Sequence, residues 1–228
     1  MSKKSAVAIE AVKYWLVKAE PDVHLLGGKD VGSFPFSRLL FEKFAPFYGV
    51  RGGQAKNYLR DELKKGDLVL YYHSSCKVPG VYGIARVAKE GYGDDDALDS
   101  SSPFFDKTGK HTKETPYWYK VDLEAINHES SGLKRPVSLE EMKLEKDTTL
   151  SGMKLFNQPR LSVQPVTIEH FNRILEMSSM VTSEVEKTTR NTSSSEDTKK
   201  GTRNATTTIE KKSTKKLTGK RKRNEDKE

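Results

Sequence analysis

This sequence has little cysteine, no long apolar run and no aromatic residue in its last quarter. Its one cysteine, Cys76, excludes an internal disulfide and a cysteine-rich zinc site, and a lone thiol is typical of a reducing compartment. No apolar run reaches the length of about 18 residues that a transmembrane helix requires, so we expect no membrane partner. Residues 1–10 are polar and then mixed, unlike a signal peptide.

Aromatic and charged residues are distributed unevenly. The nine Phe, nine Tyr and two Trp residues all precede residue 178. Residues 178–228 hold 14 basic and 8 acidic residues, a net charge of +6, together with 18 Ser or Thr. Such a segment cannot bury enough apolar surface to offset its chain entropy. We therefore expect a flexible lead over 1–11, one domain over 12–177 and a disordered tail over 178–228.

The tail carries clusters of basic residues. Nuclear import receptors and nucleic-acid phosphates both bind such clusters, although a solvated tail is the simpler alternative. We favour nuclear targeting, and with it a nuclear location and an import-receptor partner. The residues concerned are Lys215, Lys216, Lys220, Arg221, Lys222 and Arg223.

Strands and short helices alternate irregularly before the tail. Apolar and β-branched residues predict strands over 12–17, 68–72, 81–88, 117–123 and 161–166. Helical spacing predicts helices over 37–44 and 54–65. Ser138 and Glu141 form a capping-box pattern, and Thr167 is positioned to cap a last helix. Because no βαβ rhythm is present, the pattern favours a mixed α+β fold, a curved sheet with peripheral helices.

Signatures of catalysis are missing from the sequence. The histidines form no metal-ligand pattern, and no glycine-rich loop has the spacing that cradles phosphates. His73 lies three residues before Cys76, but nothing supplies the third group of a triad. We therefore expect a protein that is not an enzyme and that needs no cofactor or metal.

Aromatic residues at strand ends alternate with cationic residues. Trp15, Tyr72 and Trp118 lie at or near predicted strand ends, and Lys18, Arg51, Lys56, Arg60 and Arg160 are interleaved with such aromatics along the chain. Aromatic faces stack on bases and Lys or Arg meets phosphates, so the pattern favours a nucleic-acid partner.

Five sequence blocks, in order, carry a family resemblance. They span residues 14–21 (Tyr-Trp-Leu-Val-Lys-Ala-Glu-Pro), 49–60, 66–80, 118–122 and 160–167. In this order and spacing the chain resembles EVE domains from about residue 14 to 175. The resemblance implies a PUA-like fold, a small curved β-barrel with flanking helices. It also implies kinship with YTH domains, which hold a methylated adenine in an aromatic cage.

The resemblance implies a non-catalytic nuclear reader of a modified nucleobase, with modified cytosine in DNA favoured. A YTH-like reader of modified RNA and an enzyme acting on a nucleobase stay open as alternatives. We expect a monomer whose pocket lies between the strand carrying Trp15 and the loop after Tyr72. The candidate stacking surfaces are Trp15, Phe47 and Trp118; the candidate partners for the base are Lys18, Gln54, Asn57, Tyr72, His73, Ser74 and Ser75; and the candidate phosphate contacts are Arg51, Lys56 and Arg160.

The chain also departs from the family pattern. It has Gly52 and Gly53 where the family usually has Asn-Tyr, Phe47 for Trp, Ala19 for Ser and Ser75 for Asn. These changes remove polar groups and rings, which predicts a roomier pocket or one that reads a different modification. Alternatively, the two glycines simply fill a turn.

Overall fold

A computed structural model describes residues 11–180, except residues 24, 27 and 31. Most of the predicted lead, nearly all of the predicted tail and every candidate targeting residue lie outside these described residues. No helix in the described part of the chain is long and apolar enough to cross a membrane.

Seven strands form one mixed sheet, as the sequence pattern predicts. The pairing path runs β4-β7-β6-β5-β1-β9, with β8 added beside β6. The path ends at β4 and β9, so the expected curved β architecture is present as an open sheet. The strands are β1 (Tyr14–Ala19), β4 (Phe44–Phe47), β5 (Leu68–His73), β6 (Gly80–Gly93), β7 (Tyr119–Ile126), β8 (Val137–Ser138) and β9 (Val163–Val166), and β2 (Leu25–Leu26) pairs separately with β3 (Lys29–Asp30).

Strands β1 and β5 are neighbours inside the sheet, run parallel and end side by side. Ala19 at the end of β1 is in register with His73 at the end of β5. The loops that follow both strands therefore leave the same edge of the sheet. Ser74 donates its backbone N–H to the carbonyl of Ala19 at 2.8 Å, which ties the two loops together.

Strand β1 is buried on both faces, as expected for a central parallel strand. Trp15 and Val17 belong to one hydrophobic core, while Leu16 belongs to the other. The first core also contains Leu39, Leu59 and Leu123, and the second contains Tyr72, Met142 and Ile174. The sheet thus lies between two cores, with short helices covering its faces.

The predicted helices are present, and one of them changes type along its length. The predicted helix over 54–65 begins as an α-helix and continues as a π-helical turn, Tyr58–Glu62. The capping box at Ser138 and the Thr167 cap are both formed, so those predictions are confirmed. The α-helices are α1 (Phe36–Glu42), α2 (Gly53–Asn57), α3 (His128–Ser131), α4 (Leu139–Leu144), α5 (Lys154–Asn157) and α6 (Ile168–Ser179).

The predicted tail boundary at residue 178 lies within α6. Ser178 is only 2% exposed. Its hydroxyl accepts the Lys134 N–H at 3.1 Å and donates to the Leu175 carbonyl. Packed structure therefore extends past residue 177, because this serine satisfies two backbone groups of the domain.

Candidate nucleobase site

A cavity of about 340 Å³ opens beside the end of β1. We call it the first cavity; it lies between the end of β1 with the residues that follow it (18–22), residues 32–34 before α1 and residues 45–51 around the end of β4. Five aromatic side chains line it: Phe34, Phe47, Tyr48, Tyr71 and Phe104. Leu39, Ala45 and Leu123 add apolar surface. The volume and lining are those of a small-ligand pocket.

One wall of the first cavity depends on a glycine. Gly49 has a φ of +77°, and a Cβ added there would lie 2.8 Å from the ring of Phe104. Only glycine satisfies both conditions. The Tyr48 and Phe104 rings meet edge to face, with centroids 5.8 Å apart. The close approach at Gly49 thus brings two aromatic rings together in the cavity wall.

The same wall is held by an ion pair between a half-buried arginine and a fully buried aspartate. Arg51 donates to the Asp94 carboxylate at 2.7 Å and also to the Phe104 carbonyl oxygen. The Gly49 N–H donates to the same carboxylate at 3.2 Å. Arg51, predicted as a phosphate contact, lines the first cavity, but its guanidinium is occupied by protein acceptors. Its role in this structure is to position the wall.

Polar groups of both signs line the first cavity. Glu20 and Asp22 contribute carboxylates, and Ser33 and Ser162 contribute hydroxyls. Lys18 donates from Nζ to the Pro159 carbonyl at 2.6 Å, and burial lowers the pKa of its ammonium. The cavity can therefore accept and donate hydrogen bonds at the edge of a flat ligand.

A second cavity, of about 530 Å³, lies beside the first. Lys18, Glu20 and Ser162 line both cavities, so their walls are shared at the end of β1. The rest of the second cavity is formed by the end of β5 and the loop after it, the first residue of α4, one residue of α5 and the segment between α5 and β9. These residues are Tyr72, Ser74, Ser75, Pro79, Leu139, Leu155, Pro159 and Arg160.

The structure brings seven of the thirteen predicted site residues to these two cavities, with Lys18, which lines both, counted once. Lys18, Phe47 and Arg51 line the first cavity. Lys18 also lines the second, together with Tyr72, Ser74, Ser75 and Arg160; Ala19, one of the departures from the family pattern, lines the first. Arg160 is exposed and forms no ion pair with a described residue, which leaves its guanidinium available to a phosphate.

Trp15 is not a stacking surface in this structure. It is 3% exposed, and its indole Nε1 donates to Asp67 at 2.9 Å. Its ring packs beside Tyr58, with centroids 5.5 Å apart. The prediction for Trp15 is corrected because the large apolar ring and its single donor are both satisfied inside the core.

His73 likewise has a structural role. Its Nε2 accepts the backbone N–H of Phe36 at 3.0 Å, at the first residue of α1. Its ring stacks on Tyr82, with centroids 4.0 Å apart. Burial lowers the pKa of His73 to about 4, which keeps the imidazole neutral and able to accept. It lines neither cavity, so we do not retain it as a partner for the base.

Four further predicted residues lie away from both cavities. Gln54 and Asn57 are exposed on α2, and Gln54 donates to the Tyr58 hydroxyl at 2.9 Å. Lys56 is 7% exposed, and its Nζ lies 3.6 Å from the centre of the Tyr117 ring. Trp118 is half-buried near Arg51, whose guanidinium lies 5.2 Å from the indole centre. Lys56 is thus committed to a cation–π contact rather than to solvent.

Gly52 and Gly53 do not enlarge either cavity, since neither residue lines one. Gly52 has an extended backbone with a φ of −81°, and Gly53 begins α2. A Cβ at Gly53 would meet nothing within 4 Å. The expectation of a roomier pocket at these positions is therefore wrong, and neither position requires glycine for its backbone.

Sequence reasoning missed most of the aromatic lining. Phe34, Tyr48 and Phe104 were not predicted, although Tyr48 directly follows Phe47. Phe104 meets the cavity wall at Gly49, Tyr48 and Arg51, and Arg51, the nearest of these in sequence, is 53 residues away. Glu20 lies within the recognised block over 14–21 and Tyr71 within the block over 66–80, so both missed residues had a local signal.

Metal ligands are not clustered in the described residues, where no group of three His, Cys, Asp or Glu side chains is placed to hold an ion. Cys76 lies in neither cavity lining, and burial raises the pKa of its thiol.

Known proteins resemble this chain over the same region. It is 38% identical to mouse thymocyte nuclear protein 1 over 172 residues, which is 72% of this chain and 73% of that protein. The human protein of that name is 35% identical over 172 residues, with the same coverage of both chains.

Solved structures agree with the sequence matches. The crystal structure of human THYN1 in complex with DNA containing 5-methylcytosine matches with a TM-score of 0.68 at 32% identity, over 74% of this chain and 99% of that one. A hypothetical protein from Leishmania major matches with a TM-score of 0.62 at 37% identity, over 75% of this chain and 96% of that one. These matches confirm the expected PUA-like fold class. The family model of the EVE domain matches residues 13–177, and the chain therefore belongs to the EVE domain family.

Proposed function

We propose that this chain is a reader that binds a modified cytosine of DNA in the first cavity. The observation that carries the proposal is its similarity to human THYN1, whose structure was solved with DNA containing 5-methylcytosine. The position of the cavity supports it, because the cavity lies at the end of β1 within the recognised sequence block over 14–21.

The chemistry of the first cavity suits a pyrimidine. Cytosine presents an amino donor beside ring-nitrogen and carbonyl acceptors. The carboxylates of Glu20 and Asp22 can accept from the amino group, while the Ser33 and Ser162 hydroxyls can donate to the acceptors. Aromatic faces supply stacking worth about 1–3 kcal/mol per base. This contribution offsets the few kcal/mol that extruding a base from its stack costs.

A methyl group on the base would gain from the apolar part of the lining. Leu39, Ala45 and Leu123 are buried and line the cavity. Burying one methyl-sized group contributes about 0.8 kcal/mol, so burial alone gives a preference of roughly fourfold over plain cytosine. A stronger preference would require a polar discrimination as well.

We infer binding without turnover. The groups nearest to a nucleophile and a base in sequence, Cys76 and His73, lie outside both linings, and His73 is engaged by Phe36. A bound oligonucleotide of unchanged mass after long incubation is the expected result. We also propose that the protein acts in the nucleus, which the names of the relatives and the basic clusters of the tail support. A monomer stays a prediction from the sequence.

The central test compares affinities for matched oligonucleotides at a stated salt concentration, because affinity for DNA depends steeply on salt. Fluorescence anisotropy would measure the affinity of the protein for DNA and RNA strands that are identical except for one base, which is 5-methylcytosine, plain cytosine or N6-methyladenine. We expect the modified-cytosine DNA to bind most tightly. Equal affinity for modified and plain cytosine contradicts the proposal, and a preference for methylated RNA would favour the YTH-like alternative.

A pair of phenylalanine variants connects this preference to the first cavity. Phe47 is half-buried in the cavity wall, whereas Phe41 on α1 is 88% exposed and lines neither cavity. Phe47→Ala should weaken binding of the modified DNA at least fivefold, as expected when a stacking surface is lost. Phe41→Ala should bind as the wild type does.

A further inference from the structure

We propose that the second cavity is a subsite for the nucleotide next to the inserted base, so that the chain reads a modified base together with one neighbour. The inference rests on the proposed function. Its starting point is the shared wall: Lys18, Glu20 and Ser162 line both cavities. Adjacent nucleotides are joined by one phosphodiester, so a base in the first cavity necessarily brings its neighbours to this wall.

The lining of the second cavity fits a nucleotide. Pro79, Leu139, Leu155 and Pro159 offer apolar surface for the flat face of a base or sugar. The hydroxyls of Ser74 and Ser75 donate to the Ala19 carbonyl and the Glu20 carboxylate, so their oxygens are able to accept from a donor on a base edge. This combination of apolar surface with a few polar groups is typical of ligand sites.

Charge supports the same occupant. Arg160 lines the second cavity, is exposed, and pairs with no carboxylate of the described residues. Lys18, the other cation of this cavity, is already held on the Pro159 carbonyl. Arg160 is therefore the cation placed to meet a phosphate beside the neighbouring base, and an Arg fork matches phosphate oxygens well.

A strained residue connects the two cavities. Ser75 has a φ of +54° without being glycine, and its hydroxyl donates to the Glu20 carboxylate at 3.0 Å. Strained backbone is retained mainly at ligand clamps and active sites. Glu20 lines both cavities, whereas Ser75 lines only the second. The bond from Ser75 therefore holds a carboxylate that also lines the first cavity.

The first experiment removes the neighbouring base and needs no variant. Wild-type full-length protein would be titrated with single-stranded DNA containing one 5-methylcytosine, either intact or with an abasic site directly 5′ or 3′ of it. Both abasic strands keep every phosphate. We expect one of them to bind at least fivefold more weakly than the intact strand, and the other to bind nearly as well. Equal binding of all three strands would overturn the inference.

The second experiment blocks the subsite. Leu139 is the half-buried first residue of α4 and lines the second cavity only, whereas Leu144, on the same helix, is 85% exposed and lines neither. Leu139→Trp should bind the intact strand as weakly as the wild type binds the sensitive abasic strand. Its affinity for 5-methyl-deoxycytidine monophosphate should stay unchanged, and Leu144→Trp should match the wild type throughout.

The outcomes separate this inference from the proposed function. If the wild type prefers modified over plain cytosine but ignores the neighbouring base, the subsite is wrong and the reader stands. If Leu139→Trp also loses the mononucleotide, the effect arises in the first cavity and the subsite is again wrong. If modified and plain cytosine bind equally, the proposed function itself has failed.

Discussion

The guanidinium of Arg51 donates to the Asp94 carboxylate at 2.7 Å, and the Asp94 side chain is fully buried. Through this pair the segment after β4 is joined to the loop that begins at the end of β6. Phe104, from the same loop, receives a second bond from Arg51. The wall of the first cavity is therefore fixed before any ligand arrives, which lowers the ordering cost of binding.

Removing the Arg51 side chain should lower the free energy of unfolding of the domain, because this arginine holds the cavity wall rather than a phosphate. In Arg51→Ala the buried Asp94 carboxylate loses its partner, which costs about 3–5 kcal/mol. Chemical denaturation followed by circular dichroism would measure the loss. Arg160→Ala is the matched control, since Arg160 is exposed and unpaired among the described residues, and we expect a change within about 0.5 kcal/mol. Similar stabilities for the two variants would contradict the positioning role.

The same two variants should differ in how salt affects binding. Arg160→Ala should reduce the slope of log affinity against log salt by about one, while leaving the preference for modified cytosine intact. Arg51→Ala should mainly reduce the preference itself, because the cavity wall loosens. A slope unchanged by Arg160→Ala would show that this residue meets no phosphate.

Trp15 should contribute to stability but not to base discrimination. Trp15→Phe keeps most of the ring in the core and removes the donor to Asp67, whose other partners are the backbone N–H groups of Lys13 and Lys64. We expect a loss of roughly 1–3 kcal/mol in the free energy of unfolding. The affinity ratio between modified and plain cytosine should stay unchanged. A folded Trp15→Phe variant with a reduced ratio would restore the stacking role that the sequence suggested.

His73 should make the domain sensitive to mild acid. Its pKa is lowered to about 4 in the folded state, while the ordinary histidine value is 6.5. The unfolded chain therefore binds the proton first, so the stabilisation is fully present above about pH 6.5 and is lost as pH falls towards 4. Since solvent screens part of the shift, we expect a loss of about 2 kcal/mol over this window.

His73→Gln isolates this contribution. The glutamine carbonyl can still accept the Phe36 N–H but does not titrate between these pH values. Denaturation curves at pH 7, 5.5 and 4.5 should show a smaller decline for the variant than for the wild type. Parallel declines would place the acid sensitivity elsewhere, for instance in Glu141 or Glu145. Burial raises the pKa of Glu141, but hydrogen bonds, those from Ser138 first among them, outweigh it and lower the pKa; in Glu145 the bond from Arg173 lowers the pKa against a smaller effect of burial.

Local patterns predicted much of the fold. The strands around Trp15 and Leu70, the cap at Thr167 and the capping box at Ser138 depend on neighbours within a few residues, and all four features are present. Strand β4 was missed, because Pro46 lies within it and Phe44 is exposed. Its pairing with β7 depends on residues far apart in sequence, which no local pattern can show.

The candidate site was harder to predict than the fold. Aromatic and cationic residue types identified a region, but not which side chains are already satisfied. Trp15, Lys56 and His73 are each engaged by another protein group, at Asp67, Tyr117 and Phe36 respectively. Such pairings depend on tertiary contacts, so a residue type that suits a ligand equally suits the protein interior.

Two truncations should place the end of the domain. Removing residues 181–228 leaves every described hydrogen bond intact, so the melting temperature should barely change. Removing residues 178–228 deletes Ser178, which bonds to Lys134 and Leu175, and also Met180, whose carbonyl accepts from Arg135. The melting temperature should then fall by several degrees, since a loss of about 1 kcal/mol in stability shifts it by a few degrees in a domain of this size.

Removing residues 181–228 also tests the tail, because this deletion takes away the basic clusters and keeps the packed end of α6. Lys215, Lys216 and Lys220–Arg223 are all absent from a chain that ends at Met180. If an import receptor binds them, a fluorescent fusion of this chain should lose nuclear accumulation while its purified form keeps the preference for modified cytosine. A matched full-length variant with these six residues changed to Ser should behave in the same way. Nuclear accumulation that survives both changes would show that the targeting signal lies elsewhere in the chain.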